Sequence, residues 1–149
     1  MNLIEGLEVT KLRVIDNENG KLFHVLKSHE NSFKGFGEVY LSTIKCGKIK
    51  AWKKNHKMTC NFTVPVGKIK IVVYDDRSKS KTNGEFNEFI LSPDSYSRLT
   101  ICPGLWYGFS GLGDDISYLV NVADFNHDPK QKIDKKIDLI SYKKWLNKL

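Results

Sequence analysis

The sequence predicts an all-β domain of the sandwich or barrel kind, and three observations carry that prediction. Short β-rich runs bounded by turn residues recur along the chain. Helical periodicity is nearly absent before the last dozen residues. No helix-like segment separates the runs, which argues against a parallel βαβ sheet. The 149 residues suit one domain spanning 1–149, long enough to bury a core without disulfide or metal staples.

The elements follow in order. Residues 38–44 form the first clear β run and end at the turn Cys46-Gly47. Residues 48–52 follow, then 62–64 and a turn at Pro65-Val66-Gly67. Residues 68–74 alternate cleanly, with Ile69, Ile71 and Val73 on one face. Asp75-Asp76-Arg77 and Asn83-Gly84 bracket the central turn region. Residues 86–91, 97–101 and 117–122 complete the series. In the tail, Leu139, Tyr142, Leu146 and Leu149 are spaced for a short C-terminal amphipathic helix with Asp138 as its N-cap.

Composition narrows the function classes. Hydrophobic residues make up 40% and charged residues 28%, which argues against disorder. No apolar run approaches the roughly 20 residues of a membrane helix. The start MNLIEGLEV lacks the sections of a signal peptide, so a cytoplasmic location with no membrane partner is expected. Cys46, Cys60 and Cys102 are odd in number and far apart, as expected of small apolar residues rather than a metal or redox motif.

The net charge is +7. Lys45, Lys48, Lys50, Lys53, Lys54 and Lys57 have no acid between them, and a second lysine-rich stretch spans 130–148. Such a surface favours anionic partners, whether nucleic acid, a membrane surface or a small phosphorylated ligand. Lysines interleaved with Trp52 and Phe62 suit a single-stranded nucleic acid in principle. No nucleic-acid-binding motif accompanies them, so nucleic acid is disfavoured. His24, His29, His56 and His127 show no i, i+2 or i, i+4 pairing, so no metal site is expected.

Several short motifs occur in a telling order. They are Asp16 and Gly20, Asn61-Phe62 and then Gly67, residues 72–77 followed by Ser80, Thr82 and Gly84, residues 101–109, and residues 117–121. In that order and spacing the chain resembles the dTDP-4-dehydrorhamnose 3,5-epimerase family, and most of all its short members from spore-coat and surface-polysaccharide pathways. The resemblance implies a cupin-type double-stranded β-helix (jelly roll) and a homodimer. It also implies an isomerase that needs no cofactor and acts on a nucleotide-linked 4-keto-6-deoxy sugar. The keto group acidifies the adjacent C–H bonds; a base removes a proton and an acid returns it to the opposite face. The developing enolate needs positive charge or hydrogen-bond donors beside its oxygen.

The resemblance also assigns residues. Tyr118 matches the catalytic tyrosine. Lys53 stands where the family has its base histidine, and Asn55 where short members often have a second one. Tyr107 replaces the histidine of a His-Gly-Phe motif. Asn19 and His24 stand where the family has an arginine and a glutamate that grip the nucleotide. Arg77 either holds the diphosphate or pairs with Asp75 or Asp76 to fix the turn. Asn61 belongs to the matching strand, and Trp52 and Trp106 either stack on substrate or pack in the core. On one strand Lys53 and Asn55 share a face and His56 points away. Lys53 serves as a base only if burial or nearby cations depress its pKa; otherwise it is a charged clamp on an enolate or diphosphate, or the relic of a lost site. The alternative to an enzyme is a non-catalytic cupin that binds a sugar nucleotide or a protein partner.

Overall fold

The computed structural model describes residues 2–145. In chain order its strands are β1 (Leu7–Lys11), β2 (Val14–Asn17), β3 (Gly20–Phe23), β4 (Glu38–Lys45), β5 (Ile49–Asn55) and β6 (Cys60–Val66), then β7 (Ile69–Tyr74), β8 (Phe86–Leu91), β9 (Ser97–Ile101), β10 (Trp106–Gly111), β11 (Ile116–Ala123) and β12 (Lys132–Asp134). They build two five-stranded sheets, ordered β1-β9-β6-β11-β4 and β12-β5-β10-β7-β8, beside a β2–β3 hairpin. All these strand pairings are antiparallel, and most neighbours are not consecutive in sequence. This is the cupin-type jelly roll.

The core lies between the sheets and follows from period-two alternation. Cys60, Phe62 and Val64 of β6, Leu99 and Ile101 of β9, and Leu119 of β11 face inward from the first sheet. Ile69, Ile71 and Val73 of β7 meet them from the second, with Tyr107 and Phe109 of β10. Burying each such side chain contributes about 1.5–3 kcal/mol relative to exposure.

The outer face of the second sheet is also covered, by the C-terminal segment. Trp52, Val72 and Trp106 pack there under Ile140 and Trp145. Lys70, 0% exposed, bonds Glu88 Oε2 at 3.0 Å and the Lys144 carbonyl at 2.8 Å. Ser110 Oγ donates to the Trp145 carbonyl at 2.7 Å. Gly108 makes room for the indole, since a Cβ there would sit 2.6 Å from Trp145 Cη2 and 2.5 Å from Ala51 Cβ.

The expected C-terminal helix is not present among the described residues. Only a three-residue 3₁₀ turn, Ile137–Leu139, occurs there, and Asp138 lies inside it rather than capping it. Ile140, Tyr142 and Trp145 dock on the sheet instead, at a spacing that is not helical. Burial against an aromatic sheet face outweighs the local helical pattern. Leu146 and Leu149 lie outside the described residues.

Candidate functional site

β5 runs to Asn55, three residues past the end expected from its β-rich run, and this extension builds the site. Lys53 lies opposite Tyr107 of β10 on one side and Asp134 of β12 on the other. Tyr107 belongs to the inner core, and Lys54, opposite Trp106, lies over that indole on the outer side. Lys53 and Asn55 therefore face the interior at one end of the jelly roll, as their spacing implies. His56 is exposed beyond the strand end, its backbone N–H donating to the Gln131 carbonyl at 2.8 Å.

From the opposite sheet, β4 sends Glu38 and Tyr40 to the same end, on the face shared with buried Ile44. Between these walls is a cavity of about 290 Å³ lined by Glu38, Tyr40, Lys53, Asn55, Met58, Tyr107, His127 and Lys132. It shares Asn55, Met58 and His127 with a neighbouring cavity of about 440 Å³, flanked by Phe36, Lys57, Asp124 and Phe125. Gly37 permits the join: a Cβ there would lie 2.2–2.5 Å from the Phe125 backbone. Together the two cavities are of the size that holds a small molecule.

Asn55 Nδ2 lies 3.3 Å from both Tyr107 Oη and Cys60 Sγ, so a buried amide joins a phenol and a thiol. Burial pushes the Cys60 thiol up to about 12 and raises Tyr107 well above the usual tyrosine value, so both keep their protons. Tyr40 is 37% exposed, yet burial of its phenol, with Cys60 nearby, pushes it up to about 12 against the opposing influence of the Asn121 amide. Lys53 moves the other way. Burial lowers its pKa first, Lys132 next and Lys50 after that, with Asp134 opposing. Among the described residues Lys53 makes no ion pair, and Asp134 is bonded instead to Lys132 at 3.1 Å.

The structure separates other expected residues from this cluster. Tyr118 lies on the opposite face of β11 from core residue Leu119, on the outside of the first sheet; Asn121 turns inward instead. Trp52 is 0% exposed in the outer aromatic cluster and donates to the Ile137 carbonyl at 3.3 Å. Trp106 sits in the same cluster, its Nε1 donating to Asp76 Oδ2 at 2.7 Å. Arg77 is held in the turn after β7, with Nε and Nη2 each 2.8 Å from Asp75 and Nη2 2.6 Å from the Glu5 carbonyl. Asn61 is buried on the outer side of β6, bonding Thr100 Oγ1 and the Val122 carbonyl. His24 follows β3, half-buried, and Asn19 lies in the β2–β3 turn; neither lines the cavities.

Sequence reasoning missed Glu38, Tyr40, Lys132 and His127. Period-two alternation from Ile44 back to Glu38 was available as a signal for the first two. His127 comes from the loop after β11, and no local pattern marks it. Among the described residues no cluster of three or more His, Cys, Asp or Glu is arranged to hold a metal ion, and no helix is long and apolar enough to cross a membrane.

A jelly roll with a polar cavity between its sheets defines a small-molecule-binding cupin. No protein-family model matches the chain. It is 37% identical to a solved dTDP sugar isomerase of Desulfovibrio desulfuricans G20, covering 94% of this chain and 91% of that one with a TM-score of 0.91. A probable low-salt glycan biosynthesis epimerase of Haloferax volcanii, Agl13, is 29% identical over 136 residues, 90% of this chain and 87% of that one. The dTDP-4-dehydrorhamnose 3,5-epimerase of Sulfolobus tokodaii shares the fold at 22% identity and a TM-score of 0.83, covering 95% of this chain and 84% of that one. The chain belongs to the same family as that dTDP sugar isomerase, a family of sugar-nucleotide isomerases.

Proposed function

We propose that the protein is a sugar-nucleotide epimerase of deoxysugar and surface-polysaccharide synthesis, acting on a 4-keto-6-deoxy sugar nucleotide. The observation that carries this reading is the placement of Lys53 and Tyr40 on facing walls of one cavity. Epimerisation needs a proton removed from one face of a sugar ring and returned to the other, and two walls with opposed functional groups suit that. Lys53 engages the C4 keto group, and Tyr40, which keeps its proton, delivers from the facing wall. Tyr107 and Asn55 hold the floor beside Lys53. The adjoining cavity takes the nucleotide, with Phe36 and Phe125 at its lip and Lys57 for the phosphates. Such a substrate places the work in the cytoplasm.

The family resemblance further suggests a homodimer. Val39, Leu41 and Val66, on the outside of the first sheet, are 57%, 56% and 51% exposed and supply an apolar face for it. A monomer by light scattering would refute this.

Deuterium wash-in tests the activity. The protein is incubated with dTDP-4-keto-6-deoxyglucose in D₂O, and C3 and C5 are followed by mass spectrometry and proton NMR. Exchange above the protein-free rate, lost in Lys53→Ala and reduced in Tyr40→Phe, is the expected result. Binding without exchange would leave a sugar-nucleotide-binding protein and remove the epimerase.

A further inference from the structure

We propose that Lys53 works through a covalent bond: its amine condenses with the C4 ketone to a protonated imine, and Glu38 removes the proton from the adjacent carbon. The proposal rests on the reading above, that the cavity receives a 4-keto sugar nucleotide.

Lys53 is placed as a nucleophile. It lines the cavity, and no carboxylate pairs with it among the described residues. Lys132 and Lys50 add to burial in favouring the neutral amine. A neutral amine is a poor electrostatic clamp but a good attacking group at a carbonyl.

Glu38 is the second, independent observation. It stands on the facing wall, and its Oε1 is buried with no hydrogen-bond partner among the described residues. Buried polar atoms are rarely left this way, and such exceptions tend to carry a role. A carboxylate in the cavity also selects between intermediates. It would repel an enolate, which develops negative charge. It favours an iminium, which is positive, and removing a proton from the iminium cancels that charge.

The steps balance without a redox partner. The Lys53 nitrogen lone pair forms the bond to C4. The ketone oxygen takes up two protons, one from the nitrogen and one from Tyr40 or solvent, and leaves as water. Glu38 accepts the proton from C3 or C5; the C–H electron pair becomes the C=C bond and neutralises the nitrogen, giving an enamine. Because Tyr40 shares the β4 wall with Glu38, the proton that returns to that carbon on the other face comes from solvent on the Lys53 side, and it restores the iminium. Water then returns the ketone and the free amine.

Reductive trapping tests this. The wild-type protein is incubated with dTDP-4-keto-6-deoxyglucose and sodium cyanoborohydride near neutral pH, which reduces an iminium far faster than a ketone. The expected product is a secondary amine, heavier than the protein by the sugar nucleotide plus two hydrogens less one water. Peptide mapping should put it on Lys53, and Lys53→Arg, checked for folding by its thermal melt, should lose it. Wash-in without an adduct would overturn the covalent step and leave the epimerase reading intact. An adduct without wash-in would support the covalent step and overturn the epimerase reading. Neither signal would overturn both. Glu38→Gln should keep the adduct while its wash-in falls about 100-fold or more; wash-in at the wild-type rate would remove Glu38 from the mechanism.

Discussion

Arg77 is where the family resemblance and the structure diverge most testably. In the structure its guanidinium closes the turn after β7. Asp75 is 0% exposed and accepts from Arg77 backbone N at 3.0 Å, Arg77 Nε and Nη2 at 2.8 Å, Ser80 Oγ at 2.6 Å and Thr82 Oγ1 at 2.8 Å. Arg77→Ala keeps the backbone donor and deletes both guanidinium bonds. A hydrogen bond to a charged group contributes about 1.5–3 kcal/mol, and removing one partner of a buried pair costs about 3–5 kcal/mol. The Arg77 side chain is 29% exposed, so water relieves part of the loss. The expected destabilisation is thus about 3 kcal/mol, or roughly 6–12 °C in Tm for a chain of this length. Urea denaturation measures it, and calorimetry with dTDP measures nucleotide affinity alongside. Burial alone would raise the Asp75 carboxyl, but hydrogen bonds from Arg77, Ser80 and Thr82 outweigh it and hold it well below the usual range. A depressed carboxylate stabilises the fold above its unfolded pKa of about 3.9, and that stability is lost as pH falls. The gap between wild type and Arg77→Ala should therefore narrow below about pH 4. A loss under about 1 kcal/mol together with a collapse of dTDP affinity would refute the structural role and restore the diphosphate grip.

Other outcomes follow from the same geometry. Tyr118→Phe should leave wash-in within about twofold of wild type, because its phenol is on the outside of the sheet, whereas Tyr40→Phe should slow it about 100-fold. Wash-in plotted against pH should rise as Lys53 loses its proton and level off below the ordinary lysine value of 10.5; a rise that continues to 10.5 would contradict the lowered pKa. That lowered pKa also means charging Lys53 opposes folding at neutral pH, so Lys53→Met should abolish exchange while raising the urea midpoint. Gly108→Ala should cost about 1–3 kcal/mol and speed proteolysis of the C-terminal segment, since its Cβ would collide with Ala51 and Trp145.

Alternation made much of the fold legible. Residues 68–74 read as a strand with Ile69, Ile71 and Val73 inward, and β7 has that register in the core. Phe86–Leu91 and Ser97–Ile101 fall where their β-rich runs place them. The hairpin β2–β3 and the short strand β12 carry weak signals, because edge and surface strands bury little that would pattern the sequence. The tail misled for a related reason: its helical spacing is local, while Trp145 and Ile140 answer to a sheet face formed from distant residues. At the site, Lys53 and Asn55 were readable because two residues on one strand must share a face. Tyr118 was not, because motif matching fixed its strand but not its face, and a single-residue register shift turns a side chain from cavity to solvent. Arg77 was left open between a turn and a ligand, and its contacts with Asp75 and Glu5, which no local pattern encodes, favour the turn.

The departures from the family pattern gain meaning from their arrangement. By the family resemblance, Lys53, Asn55 and Tyr107 each stand at a position where a histidine is expected, and they are neighbours in space. Lys53 lies across from Tyr107 in the strand register, and Asn55 bonds the Tyr107 phenol. Here Asn55, 8% exposed, and Tyr107, 4% exposed, satisfy one another and reach Cys60 as well. Lys53, with Lys132 and Lys50 as well as Asp134 near it, and Glu38 both line the cavity. On the function proposed above, the replacements amount to one connected change of chemistry, from an imidazole that moves protons to an amine that engages the ketone.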